Sequence, residues 1–93
     1  MPQLTPAEIK SAQRRTKAWR LESAVIRRTY QFKDFPAAIA FVNQVAKLAE
    51  KTWHHPDIDV RWNKVTLTLT THDEGGLTAK DFELAARFDT LAK

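Results

Sequence analysis

All three histidines of this 93-residue chain fall in two short segments, His54-His55-Pro56-Asp57 and Thr71-His72-Asp73-Glu74. Each segment lies just past a stretch of regular hydrophobic pattern, with the carboxylates Glu50, Asp57, Asp73 and Glu74 beside it. Three histidines invite a zinc reading, because three ligands and a water make a catalytic zinc site. The spacing argues against it. His54 and His55 are neighbours, which point to opposite sides of an extended backbone, and neither a cysteine nor an i,i+4 histidine pair supports them. We therefore expect no metal and no cofactor. Acid/base chemistry is the better fit, since imidazole titrates near neutrality and one ring can donate while another accepts. The alternative that these rings only cap and pack stays open on the residues alone.

The elements that must position them follow from periodicity. Leu4-Thr5-Pro6-Ala7-Glu8-Ile9 is a helix start, with Thr5 as cap, Pro6 in the first turn and Glu8 completing a capping box. This helix is expected to run to about Lys17 on the surface, because its apolar face is only Ile9 and Ala12. Strands are expected at Trp19–Leu21 and Val25–Phe32. Arg28 shares the apolar side of the second with Ile26, Tyr30 and Phe32, which suggests a partly exposed or edge strand. Asp34 caps a long helix whose apolar residues, from Phe35 to Ala49, fill half the wheel, as in a helix lying flat on a sheet. Its pattern stops by His55-Pro56, since a residue before proline is pushed out of the α region. A short strand at Asp59–Trp62 and a tight turn at Asn63-Lys64 precede the strand Val65–Thr70. There Val65, Leu67 and Leu69 face the helices and the threonines face away. Thr78-Ala79-Lys80-Asp81 caps a last helix burying Leu84, Ala85, Phe88 and Leu91. The expected fold is α+β: one domain over residues 1–93, order α-β-β-α-β-β-α, a four-stranded antiparallel sheet with helices packed on one face.

Composition sets bounds on function. Hydrophobic residues are 43% and charged residues 28% of the chain, as in a soluble globular domain. A chain without cysteine has no disulfide or thiol chemistry. No apolar run reaches membrane-spanning length and the N-terminus lacks a secretory core, so a cytoplasmic, membrane-free protein is expected. The net charge of +4 is local: residues 1–28 carry +5 and the remainder −1. That basic excess reads as a solvated face, or as a docking patch for an acidic partner, and nucleic-acid binding is not expected. A core this small also calls for an oligomeric interface, so a homodimer or a dimer of dimers with strands pairing across subunits is expected.

The spacing Glu50-x3-His54-His55-Pro56, five residues to Trp62, nine more to His72 and eight more to Asp81 resembles the pterin-4a-carbinolamine dehydratase signature. The Gly76-Leu77-Thr78 step and the Phe32-Lys33-Asp34-Phe35 helix entry resemble that family too, and the likeness runs from Leu4 through Ala92. The resemblance implies a dehydratase that turns 4a-hydroxytetrahydropterin into quinonoid dihydropterin, recycling the cofactor of aromatic amino-acid hydroxylases. It implies His54 and His72 as the acid/base pair, with His55 binding and orienting the pterin substrate. Glu50, Pro56, Thr71, Asp73 and Glu74 would line the site, Glu50 being placed to fix the tautomer of His54. Asp81 reads chiefly as a helix cap, Trp62 as core or cleft wall, and Trp19 and Trp53 as packing residues, with a place near the cleft as the alternative for Trp53. Some members of the family are partner-binding proteins, a transcriptional dimerisation cofactor or an assembly chaperone, and that is the alternative reading. The complete histidine set favours catalysis.

Overall fold

A computed structural model describes residues 2–93. The helices are α1 (Pro6–Gln13), α2 (Phe35–Thr52) and α3 (Ala79–Leu91); the strands are β1 (Arg20–Glu22), β2 (Val25–Gln31), β3 (Asp57–Arg61) and β4 (Lys64–Leu69). The strands form one antiparallel sheet in the order β1-β2-β4-β3. The fold class expected from periodicity is the one observed.

Strict alternation in β4 sorts its side chains by face. Val65, Leu67 and Leu69 are fully buried under the helices, where α2 contributes Ala38, Phe41 and Val45 and α3 contributes Phe82, Leu84, Ala85 and Phe88. Thr66 and Thr68 stand on the other face, where Thr66 pairs with Thr29 and Thr68 accepts from Arg27. At ~25 cal/mol per Å² of apolar surface removed from water, this single layer is the main source of stability. The caps hold as expected: Thr5 accepts from the Glu8 N–H while Glu8 accepts from the Thr5 N–H, and Asp34 accepts from the Ala37 N–H at 2.9 Å.

Several boundaries differ from expectation. α1 ends at Gln13 rather than near Lys17, because only Ala12 is buried and turns follow it. β3 begins at Asp57, directly after Pro56, and the hairpin turn falls on Trp62-Asn63, with Trp62 left-handed at φ 55°. Trp62 is 65% exposed and so is not a core residue. Leu91 is only partly buried.

The larger correction concerns β2, which is an inner strand and not an edge. Arg28 sits on its core side because Asp89 of α3 comes down to meet it. One oxygen of Asp89 accepts from Arg28 at 2.8 Å, from the Trp19 indole N–H at 3.0 Å and from the Tyr30 hydroxyl. The Arg28 guanidinium also lies 4.3 Å from the centre of the Tyr30 ring. Burial, reinforced by the bond to Asp89, pushes the Tyr30 hydroxyl far above the ordinary phenol range, so it remains a donor. Replacing Asp89 by Ala strips three donors of one acceptor. Because the Arg28–Asp89 pair is partly solvated, the expected loss is about 2 kcal/mol, less than for a fully buried pair, and it is read from urea unfolding.

Candidate active site

α2 ends at Thr52 because Trp53 takes a left-handed conformation (φ 55°, ψ 41°). The helix thus stops three residues before the one preceding Pro56, and it is the cap at Trp53, not the proline, that ends it. The turn lets the His54 N–H reach back to the Ala49 carbonyl at 3.2 Å. The two adjacent histidines then part. His54 turns inward, its side chain 11% exposed, and its Nε2 lies 2.6 Å from Oδ1 of Asp81. His55 turns outward, with Nε2 2.5 Å from Oε2 of Glu50. Glu50 therefore orients His55 and not His54, because an inward-facing ring is beyond the reach of a carboxylate on the exposed face of α2.

Asp81 is the residue that periodicity undervalued. Its side chain is fully buried, and both oxygens are engaged. Oδ2 accepts from the Thr78 N–H at 3.0 Å, which caps α3, and from the Thr71 hydroxyl at 2.8 Å. Oδ1 remains for His54. Thr71 has one proton and gives it to Asp81, so the Thr78 hydroxyl, 2.9 Å away, donates to Thr71. With Asp81 as a carboxylate, Nε2 of a neutral His54 carries the hydrogen and Nδ1 presents a lone pair. A second carboxylate oxygen left over from a helix cap was the available signal, since the cap uses only one.

The second segment is tied to the first through this carboxylate. β4 ends at Leu69, and Thr71 bridges to Gly76 around a single 3-10 turn, His72–Glu74. Gly75 closes that turn at φ 75°, in the left-handed region that glycine enters without strain. Leu4 donates its N–H to Leu77 at 2.8 Å and Gln3 packs against Gly76, so the N-terminal segment braces the loop. His72, Asp73 and Glu74 are all exposed, and Pro56 is half-buried between His55 and β3. The structure thus joins His54, Thr71, Thr78 and Asp81 in one hydrogen-bonded cluster, and His55 with Glu50 in another. His72 is linked to the first only through its neighbour Thr71.

His54 and Thr52 line a cleft of about 300 Å³ with Lys80, Glu83, Leu84 and Arg87, none of which sequence reasoning had placed at the site. A larger cleft of about 700 Å³ between α1 and α3 contains no histidine, and its size does not make it the reacting site. Among the described residues no group of three or more His, Cys, Asp or Glu is placed to hold a metal ion. Nor is any helix among them long and apolar enough to cross a membrane.

The chain is an α+β domain in which two imidazoles just past the end of α2 are each held by a carboxylate. The chain belongs to the pterin 4 alpha carbinolamine dehydratase family, whose model matches residues 2–91. A protein of Chloroflexus aurantiacus named "Putative pterin-4-alpha-carbinolamine dehydratase" is 56% identical over 91 residues, covering 98% of each chain. A protein of the same name from Acidobacterium capsulatum is 53% identical, covering 98% of this chain and 99% of its own. Among solved structures, the transcriptional coactivator/pterin dehydratase from Brucella melitensis superposes with a TM-score of 0.93 at 36% identity, over 98% of this chain and 99% of that one. A pterin dehydratase-like protein identified as a RuBisCO assembly factor in the alpha-carboxysome matches with a TM-score of 0.69 at 28% identity, over 81% and 89%.

Proposed function

We propose that the protein is a 4a-hydroxytetrahydrobiopterin dehydratase, a hydro-lyase acting in tetrahydrobiopterin recycling. The observation that carries this reading is the His54–Asp81 pair in a chain of the dehydratase family: an imidazole held in one tautomer by a buried carboxylate. The C4a–O bond of the carbinolamine breaks, the hydroxyl leaves as water after gaining a proton, N5 loses its proton, and a C4a–N5 double bond forms. One group must supply a proton and another remove one. His54 accepts the N5 proton at Nδ1, because Asp81 occupies Nε2. His72 delivers the proton to the departing oxygen; its exposed ring exchanges with solvent and is reloaded there. His55, fixed by Glu50, binds and orients the pterin, with Pro56, Thr71, Asp73 and Glu74 around it. Neither cofactor nor metal takes part in these steps. Acceleration of carbinolamine breakdown by the purified protein tests this reading.

The protein works in the cytoplasm as a homodimer or a dimer of dimers, downstream of an aromatic amino-acid hydroxylase. β3 is an edge strand with Ile58 exposed, suited to pairing with a second copy. Light scattering should give two or four times the 10.7 kDa chain mass; a monomer at micromolar concentration would sink this part. A second reading, partner binding without catalysis, draws on the neighbours described as a coactivator and as an assembly factor. It predicts that alanine at His54 and His72 leaves biological function intact.

A further inference from the structure

Trp53 is expensive where it stands. The turn that ends α2 needs a residue with positive φ, and at φ 55° glycine would avoid the Cβ crowding, while asparagine would offset it through local hydrogen bonds of its short side chain. Bulky residues held in this region concentrate at functional sites. Packing does not offset the strain, for Trp53 is 73% exposed, the highest value among the large hydrophobic residues described. It makes an edge-on ring contact with His55, with centroids 5.2 Å apart. That imidazole is held at its other end by Glu50.

We propose that Trp53 is a substrate-positioning residue: its exposed indole offers the flat face on which the pterin bicycle stacks beside His55. The inference rests on the dehydratase reading and adds a binding determinant to it. A conjugated bicycle and an indole face stack with an energy that does not depend on the ligand's side chain. Trp53 therefore holds the ring system, while the imidazoles act on C4a and N5. The backbone at residue 53 turns the two histidines apart, and its side chain stands exposed beside His55.

The test compares the wild type with Trp53→Asn and Trp53→Phe, using 7,8-dihydrobiopterin as a stable probe in calorimetry and the carbinolamine in turnover. Trp53→Asn relieves the backbone, so its melting temperature should rise by about 2–6 °C. It also removes the stacking face, so the probe's Kd and the substrate's KM should each rise about 10-fold, with kcat within about 2-fold. Trp53→Phe keeps an aromatic face and should fall between the two. A gain in stability with a loss of binding is a pattern that a merely structural tryptophan does not give. Unchanged Kd and KM in Trp53→Asn overturn the inference and leave the dehydratase reading standing. A lower melting temperature, or a changed oligomeric mass, also overturns it, since the indole would then be packing against its own chain or a second copy. A wild type that neither binds the probe nor turns over the carbinolamine overturns both.

Discussion

Replacing His54 or His72 by alanine should lower turnover by roughly 10²–10⁴-fold, the range for a positioned acid or base. The two losses have different origins. On the proposed mechanism, loss of His54 removes the acceptor of the N5 proton, and loss of His72 leaves the departing hydroxyl to go as hydroxide or take its proton from water. The double variant should cost less than the product of the singles, because the two groups act on one elimination. His55→Ala should behave differently, raising KM more than it lowers kcat, since Glu50 holds that ring for binding. Steady-state rates with the spontaneous reaction subtracted, on variants shown folded by circular dichroism, distinguish these outcomes.

The second large effect is expected at Asp81. In Asp81→Asn the side chain keeps its shape but can present an amide N–H to Nε2 of His54. The ring then carries its hydrogen on Nδ1 and loses the lone pair that accepts the N5 proton. Turnover should fall roughly 10²–10⁴-fold, from the upper end for a lost outer partner to the loss for a fully inverted tautomer. Asp81→Ala adds a structural penalty, since the Thr71 hydroxyl, the Thr78 N–H and His54 all lose their acceptor. About 3 kcal/mol of stability should go with it. Equal activity of Asp81→Asn and wild type would reduce the carboxylate to a helix cap.

Much of this architecture could be read from local chemistry. Thr5, Asp34 and the Thr78-to-Asp81 step announce their helices, because capping needs only residues three apart. Period-two alternation in β4 orients its faces without further help. What sequence did not carry was tertiary. Arg28 on an apolar face suggested an edge strand, because nothing local reveals that Asp89, 61 residues on, supplies its counter-charge. Asp81 looked like a cap, since its first oxygen does cap and the partner of the second lies 27 residues earlier. Glu50 stood one turn from His54, and spacing alone favoured that pair; the left-handed turn at Trp53 sent His54 inward and gave Glu50 to His55 instead. Trp53 was expected to pack, or else to stand near the cleft, and its exposure follows from a backbone conformation no pattern of hydrophobicity encodes.

The central claim is catalysis of carbinolamine dehydration by His54 and His72, and stopped-flow absorbance tests it most directly. Freshly generated 4a-hydroxytetrahydrobiopterin is mixed with chelator-treated protein, and its conversion to quinonoid dihydropterin is followed. The expected result is a first-order decay whose rate rises in proportion to protein concentration and returns to the spontaneous rate in the His54→Ala, His72→Ala double variant. Decay at the spontaneous rate with folded wild-type protein, or an acceleration that survives in the double variant, would contradict it.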